Sequence, residues 1–151
     1  MIALDATGRL LLLHTLDLNE DQRDWWELPG GGVKQGETAA GAARREFAEE
    51  TGISIAAHRL DYVATFDNDV LFANRVHHLT EHIFATRLAG APEAGRRSLD
   101  GPLEQASLIE QRWWTKGELH TAELRLHPPQ LRELLAGDVV ANLGHEAAQE
   151  R

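Results

Sequence analysis

Residues 31–53 read GGVKQGETAAGAARREFAEETGI, a glycine-rich lead into a short amphipathic helix that carries a cluster of acids. Glu46, Glu49 and Glu50 stand at i, i+3 and i+4. At about 100° per residue they project from one side of a helix, within about a third of a turn. Ala40, Ala43 and Phe47 fall on a second stripe about a quarter turn away, the expected core-facing side. Ala39 and Ala42 fall on the carboxylate side, where their small side chains are expected to leave open space. Thr38 suits an N-cap and Gly52 the residue that ends the helix in a left-handed conformation.

Like charges one turn apart repel by a few tenths of a kcal/mol (~0.2–0.5) per pair. A hard divalent cation would offset that repulsion, and carboxylate oxygens suit Mg²⁺ or Mn²⁺. A lone Glu-x-x-Glu-Glu is more simply read as a solvated acidic face. The surrounding residues change that reading. Gly31, Glu37, Arg45, Glu46, Phe47, Glu49, Glu50, Gly52 and Ile53 together fit Gly-x5-Glu-x7-Arg-Glu-U-x-Glu-Glu-x-Gly-U, where U is bulky and apolar. With seven identity-fixed positions at average residue usage, the chance per window is on the order of 10⁻⁹.

This stretch resembles the Nudix box, and the chain resembles a MutT-like Nudix hydrolase. The likeness extends to Trp26-Glu27-Leu28-Pro29-Gly30 before the box, and to Arg112-Trp113-Trp114 with Glu118-Leu119 after it. The resemblance implies an α/β fold, a mixed β-sheet sandwiched between α-helices (α/β/α). It implies Mg²⁺ or Mn²⁺ held by Glu46, Glu49, Glu50 and the Gly30 carbonyl, with Glu46 either a ligand or the base. It also implies a Glu37–Arg45 ion pair that fixes the loop on the helix. Gly31 and Gly52 support the site, and Arg44 is expected to be solvated. The activity implied is hydrolysis of a diphosphate bond in a nucleoside diphosphate linked to another moiety. The alternative is a catalytically silent Nudix-like domain that binds a nucleotide and regulates a partner. Such domains typically lose one of the acids, and here all stand. An isopentenyl-diphosphate isomerase relative would need a catalytic Cys, and the chain has none.

The 151 residues suit one domain, with residues 137–151 expected to be a frayed tail. The absence of Cys excludes thiolate nucleophiles, disulfides and Cys-based zinc sites. A net charge of −9 argues against a nucleic acid polymer as partner but allows a small phosphorylated substrate, such as a nucleotide, neutralised locally by metal. No apolar run approaches membrane-spanning length and no signal peptide is visible, so a cytoplasmic protein with no membrane partner is expected, as monomer or homodimer.

Residues 2–4 and 9–14 read as a hairpin around Asp5 and Gly8. Members of the family usually have a longer first strand, which leaves open an upstream start or a frayed edge. Residues 10–13 are continuously apolar, as in a strand buried on both faces. Residues 17–24 read as an exposed loop, residues 29–32 as a tight glycine turn, and Trp25 and Trp26 as aromatics closing the core. Arg23 and Trp26 are the candidates for substrate contact. Strands are expected over 55–67, 70–73, 79–88 and 107–115, with a turn at Asn68-Asp69. The inward face of 79–88 stays open. His77, His78 and His82 lack zinc-site spacing and read as surface or substrate-contacting side chains. The loop over 90–101 and the residues after it offer Asp100, Glu104 and Glu110 as an extra carboxylate. Short helices are expected over 116–121 and 130–135. Where ADP-ribose hydrolases often carry Pro past the box, Asn68 stands; where dinucleoside-polyphosphate hydrolases tend to carry Tyr, Asp69 and Val70 stand.

Overall fold

The computed structural model describes residues 1–17, 23–72, 74–90 and 108–137. Strands β1 (Ile2–Leu4), β2 (Leu10–Leu16) and β3 (Asp24–Glu27) precede helix α1 (Ala39–Thr51). A 3₁₀ turn (Ala57–Arg59) then leads into the long hairpin β4 (Asp61–Phe72) and β5 (Arg75–Arg87). After them come β6 (Leu108–Trp114), α2 (Lys116–Thr121), β7 (Leu126–His127) and α3 (Leu131–Ala136).

Among the described residues seven strands form one mixed sheet in the order β4-β5-β1-β2-β3-β7, with β6 also paired to β2. Strand β2 is its axis. It pairs antiparallel with β6 from Leu10 to Thr15, with β1 at Leu10, and with β3 from Leu13 to Leu16. Strands β1 and β3 therefore follow one another along β2 and lead into separate halves. Parallel pairing adds β5 to β1 and β7 to β3.

Alternation along the strands fills both faces. Leu11 and Ala3 pack with Phe47 of α1 and with Ile55. Leu10, Leu12, Trp26 and Trp114 pack on the opposite face with Leu119 of α2 and Leu131 and Leu135 of α3. The result is the expected α/β/α arrangement, and Leu10 to Leu13 are buried on both faces. Burying a side chain such as Phe47 contributes about 1.5–3 kcal/mol. Among the described residues no helix is long and apolar enough to cross a membrane.

Several local expectations are corrected. The fully buried residues of α1 are Ala42, Phe47 and Thr51, not Ala40 and Ala43. Ala42, on the carboxylate side of α1, is 2% exposed and so does not border open space. Thr51 can be buried because its hydroxyl donates to the Phe47 carbonyl at 2.6 Å. Asp17 is buried rather than exposed, its amide bonded to the Arg23 carbonyl at 2.7 Å. The turn in the glycine stretch is at Gln35-Gly36, with Gly36 at φ +80°, and not at residues 29–32.

Asn68-Asp69 is no turn either. Strand β4 runs through it, and the reversal comes at Asn74, φ +57°. Asp67 and Asp69 are accommodated because their carboxylates accept from Thr80 at 2.7 Å and contact His78 at 2.5 Å across the ribbon. Strand β5 accordingly begins at Arg75, and its Ile83 and Ala85 enter the core.

Candidate active site

The sequence builds α1 with its own stops. Thr38 accepts from the Gly41 amide at 3.0 Å, and Gly52, at φ +74°, closes the last turn onto the Ala48 carbonyl. Between them, α1 presents its carboxylates to the loop that leaves β3. The Gly30 amide donates to Glu50 Oε2 at 2.8 Å. Gly31 passes over Glu46 so closely that an added β-carbon would stand 2.4 Å from the Glu46 carboxyl carbon. Glycine is needed here for proximity, since its φ is not in the positive region.

Arg45 ties loop and helix together. Its Nε and Nη2 each donate to Glu37 at 3.0 Å, and Nη2 also donates to the Gly32 carbonyl at 2.9 Å. The expected Glu37–Arg45 pair is present as a fork. Arg45 does more than was read from the sequence: Nη1 donates to Glu46 at 2.6 Å and to Glu49 at 3.1 Å. Hydrogen bonding from Arg45 holds the Glu37 carboxyl down at about 2. Arg44 is not left to solvent. Its Nε donates to the Ile55 carbonyl at 2.7 Å, anchoring the segment after α1.

Glu50 stands apart from this guanidinium. Burial, reinforced by the charges of Glu27 and Glu46 and opposed by the Gly30 hydrogen bond, pushes its carboxyl up to about 8. Glu27 lies on the α1 side of β3, where it accepts from Thr15 Oγ1 at 2.5 Å and Trp25 Nε1 at 2.8 Å. Its place was legible in the Trp26-Glu27 dipeptide: Trp26 faces the core opposite α1, so its neighbour must face α1.

The other sequence candidates lie elsewhere. Glu110 is registered opposite His14 on the α2–α3 face, 3.6 Å from the His14 ring and half exposed, so it is not beside the helix glutamates. The reason is the strand parity of β6, which turns Gln111 rather than Glu110 toward α1. Trp26 is buried, stacked on His14 at 4.5 Å and edge-on to Trp114 at 4.8 Å. Arg23 lies 3.8 Å from Asp17. Asp100 and Glu104 fall outside the described residues. His82 Nδ1 is 2.9 Å from Thr65, on the exposed ribbon. A hollow of about 460 Å³ on that ribbon, lined by Asp67, Asn68, Asp69, His78, Leu79 and Thr80, includes none of the helix glutamates.

A polar cluster that sequence reading passed over spans the two halves of the sheet. Glu81 Oε1 is 2.6 Å from His127 Nε2, and Glu81 Oε2 accepts from Asn68 at 2.6 Å. Asn68 and Gln130 exchange hydrogen bonds of 2.9 and 3.3 Å. Burial alone would discharge both members of the ionic pair. The mutual bond outweighs it, with Asn68 assisting, so Glu81 is held below and His127 above their ordinary values.

The donors near α1 suit a hard cation. They are carboxylate and backbone carbonyl oxygens, without sulfur, and Glu50 takes its hydrogen bond from the neutral Gly30 amide rather than from Arg45. Among the described residues no three His, Asp or Glu side chains already converge on one point. Arg45 Nη1 occupies the space between Glu46 and Glu49.

A NUDIX domain model matches residues 1–136. The chain belongs to the NUDIX family. It is 43% identical over 63 residues to the uncharacterized Nudix hydrolase YvcI of Bacillus subtilis (strain 168), a stretch that is 42% of this chain and 37% of that protein. It is 57% identical over 42 residues to an RNA pyrophosphohydrolase of Bartonella clarridgeiae, covering 28% of this chain and 24% of that one. The chain thus spans well under half the length of either protein in the matched regions. The E. coli dihydroneopterin triphosphate pyrophosphohydrolase structure superposes with a TM-score of 0.62 at 23% identity, covering 93% of both chains. That last likeness is one of fold.

Proposed function

We propose that this NUDIX protein is a metal-dependent pyrophosphohydrolase that cleaves the diphosphate bond of a nucleoside diphosphate linked to another moiety. The observation that carries the reading is the convergence of Glu46 and Glu50 on Gly31 and Gly30, with Arg45 bridging Glu46 and Glu49. Glu46, Glu49, Glu50 and the Gly30 carbonyl would hold Mg²⁺ or Mn²⁺. When bound, such a cation neutralises phosphate oxygens and makes a water more acidic. The water oxygen forms the new bond to phosphorus, the bridging P–O bond breaks, and a glutamate takes the water's proton. Glu46 is either that acceptor or a ligand. Glu50 is oriented by the Gly30 amide, and Arg45 orients Glu46 and Glu49.

The RNA pyrophosphohydrolase likeness adds a 5′-triphosphate RNA end to the compounds worth testing. The experiment is a screen of nucleoside-diphosphate-linked compounds, nucleoside triphosphates and such RNA, with Mg²⁺ or Mn²⁺, products being identified by mass. Release of a nucleoside monophosphate, or of pyrophosphate from a triphosphate, supports the reading. Turnover undiminished in excess chelator, after metal removal is verified, would refute the metal dependence.

A further inference from the structure

We infer that Glu81 is a positioning residue: paired with His127, it clamps the two halves of the split sheet and so holds the Gly30 amide on Glu50. The inference rests on the reading of Glu50 as a working carboxylate.

The split arises from β2. Along one edge it gives Leu10 to β1 and Leu13 to Leu16 to β3. Strand β5 extends from β1 and β7 extends from β3, so among the described residues the halves pair through β2 and meet again where the Met1 ammonium, just before β1, donates to the Pro29 carbonyl. Side chains bridge them at the β5–β7 edge. Glu81 of β5 meets His127 of β7 at 2.6 Å, and Asn68 of β4 meets Gln130, just before α3, at 2.9 Å.

His127 is also tied to the loop that carries Gly30. Its carbonyl accepts from the Leu28 amide at 3.2 Å, and it is in register with Glu27. Two residues beyond Leu28, the Gly30 amide meets Glu50 at 2.8 Å. Strand β7 has only two residues and the β3–β7 pairing only two registered positions. Such a short edge strand has little pairing of its own to hold it, so loss of the clamp lets it and the end of β3 move together. A carboxylate–imidazole pair fixes direction as well as distance, which apolar contact there would not.

The test measures hydrogen exchange at single amides by NMR in the whole metal-free chain, for wild type, Glu81→Gln and His127→Asn. Glu81→Gln keeps the side-chain shape. The expected result is exchange about tenfold faster at Gly30, as for loss of one supporting hydrogen bond, with Leu10 to Leu13 unchanged. Unchanged exchange at Gly30, or equal acceleration throughout the core, would overturn the inference. On the substrate found by the screen, kcat should fall about tenfold or more with KM retained, as for a misplaced group. A rise in KM alone would place Glu81 on the substrate and also overturn it. Exchange needs no substrate, so a chain inactive in every assay refutes the proposed activity without touching the exchange result.

Discussion

Gly31 and Glu46 are in such close approach that no side chain fits between them: a β-carbon on Gly31 would lie 2.7 Å from both Glu46 carboxylate oxygens. The clash would be with the flexible end of a side chain, not with backbone. Gly31→Ala is therefore expected to fold with a Tm within a few degrees of wild type, while displacing Glu46. Displacement of about 1 Å costs up to about a hundredfold in rate. Melting and kcat measured together check this; a large loss of Tm would show that the loop, not the carboxylate, yields.

Glu49→Gln and Glu50→Gln should each lower kcat by at least about a hundredfold, as when a charge-stabilising group is lost. Glu110→Gln, across the sheet beside His14, should stay near wild type. Steady-state kinetics at saturating Mg²⁺ decide it. Near-normal kcat in Glu50→Gln would remove Glu50 from the ligand set.

The metal-free stability of Glu50→Gln should slightly exceed that of wild type. Sequence spacing ascribes this to repulsion among three glutamates. The structure alters the cause: Arg45 bridges Glu46 and Glu49 but not Glu50, whose carboxyl is pushed up to about 8 by burial and by the charges of Glu27 and Glu46. Millimolar Mg²⁺ or Mn²⁺ should reverse the order, since an ion bound only by the folded state adds about 2.7 kcal/mol at a hundredfold excess over Kd. Thermal melts with chelator and with metal provide the test. Equal gains in both proteins would show that Glu50 is not a ligand.

Asp5 should set part of the acid stability. Its buried carboxylate accepts from the Thr7 amide and hydroxyl and from the Arg9 amide and Nε, at 2.7–2.9 Å. Burial pushes its carboxyl up, but these bonds together outweigh burial and hold it below the ordinary value of 3.8. The unfolded chain therefore takes up the proton first as pH falls, so this stabilisation is complete above the unfolded value and is lost on descending through the folded one. Asp5→Asn should cost about 1–3 kcal/mol at neutral pH by leaving donors poorly matched. It should also flatten the fall in stability at acid pH, read from urea midpoints between pH 3 and 7.

Much of the site was legible because its chemistry is local in sequence. Thr38, Gly52, Arg45 and the glutamates lie on one helix and the loop before it, and spacing alone brings them near each other. The strands were legible where they are deeply buried, as at Leu10 to Leu13, which are covered on both faces. Reading failed along β4 and β5, because residues 75–80 are all exposed and the outer part of β4 alternates only between exposed and half-buried positions, so Asn68-Asp69 looked like a turn. It also failed for Glu81 and His127, because a contact between residues 46 positions apart leaves no mark in periodicity. The close approach of Gly31 to Glu46 was hidden for a different reason: a glycine in a sequence does not disclose whether it serves a turn or a tight passage.

The parallel pairings also set an order of assembly during synthesis. Ile2 finds Ala85, and Trp26 finds Leu126, only after those distant strands leave the ribosome. The β4–β5 hairpin and α1 are built from near neighbours and can form early, whereas loop closure over long separations is slow. Until β6 emerges, one edge of β2 is an open row of backbone donors and acceptors on an apolar strand. The nascent chain is thus most exposed to wrong pairing while its last third is still being translated. Solubility of truncated chains is expected to recover only once residues through β6 are present.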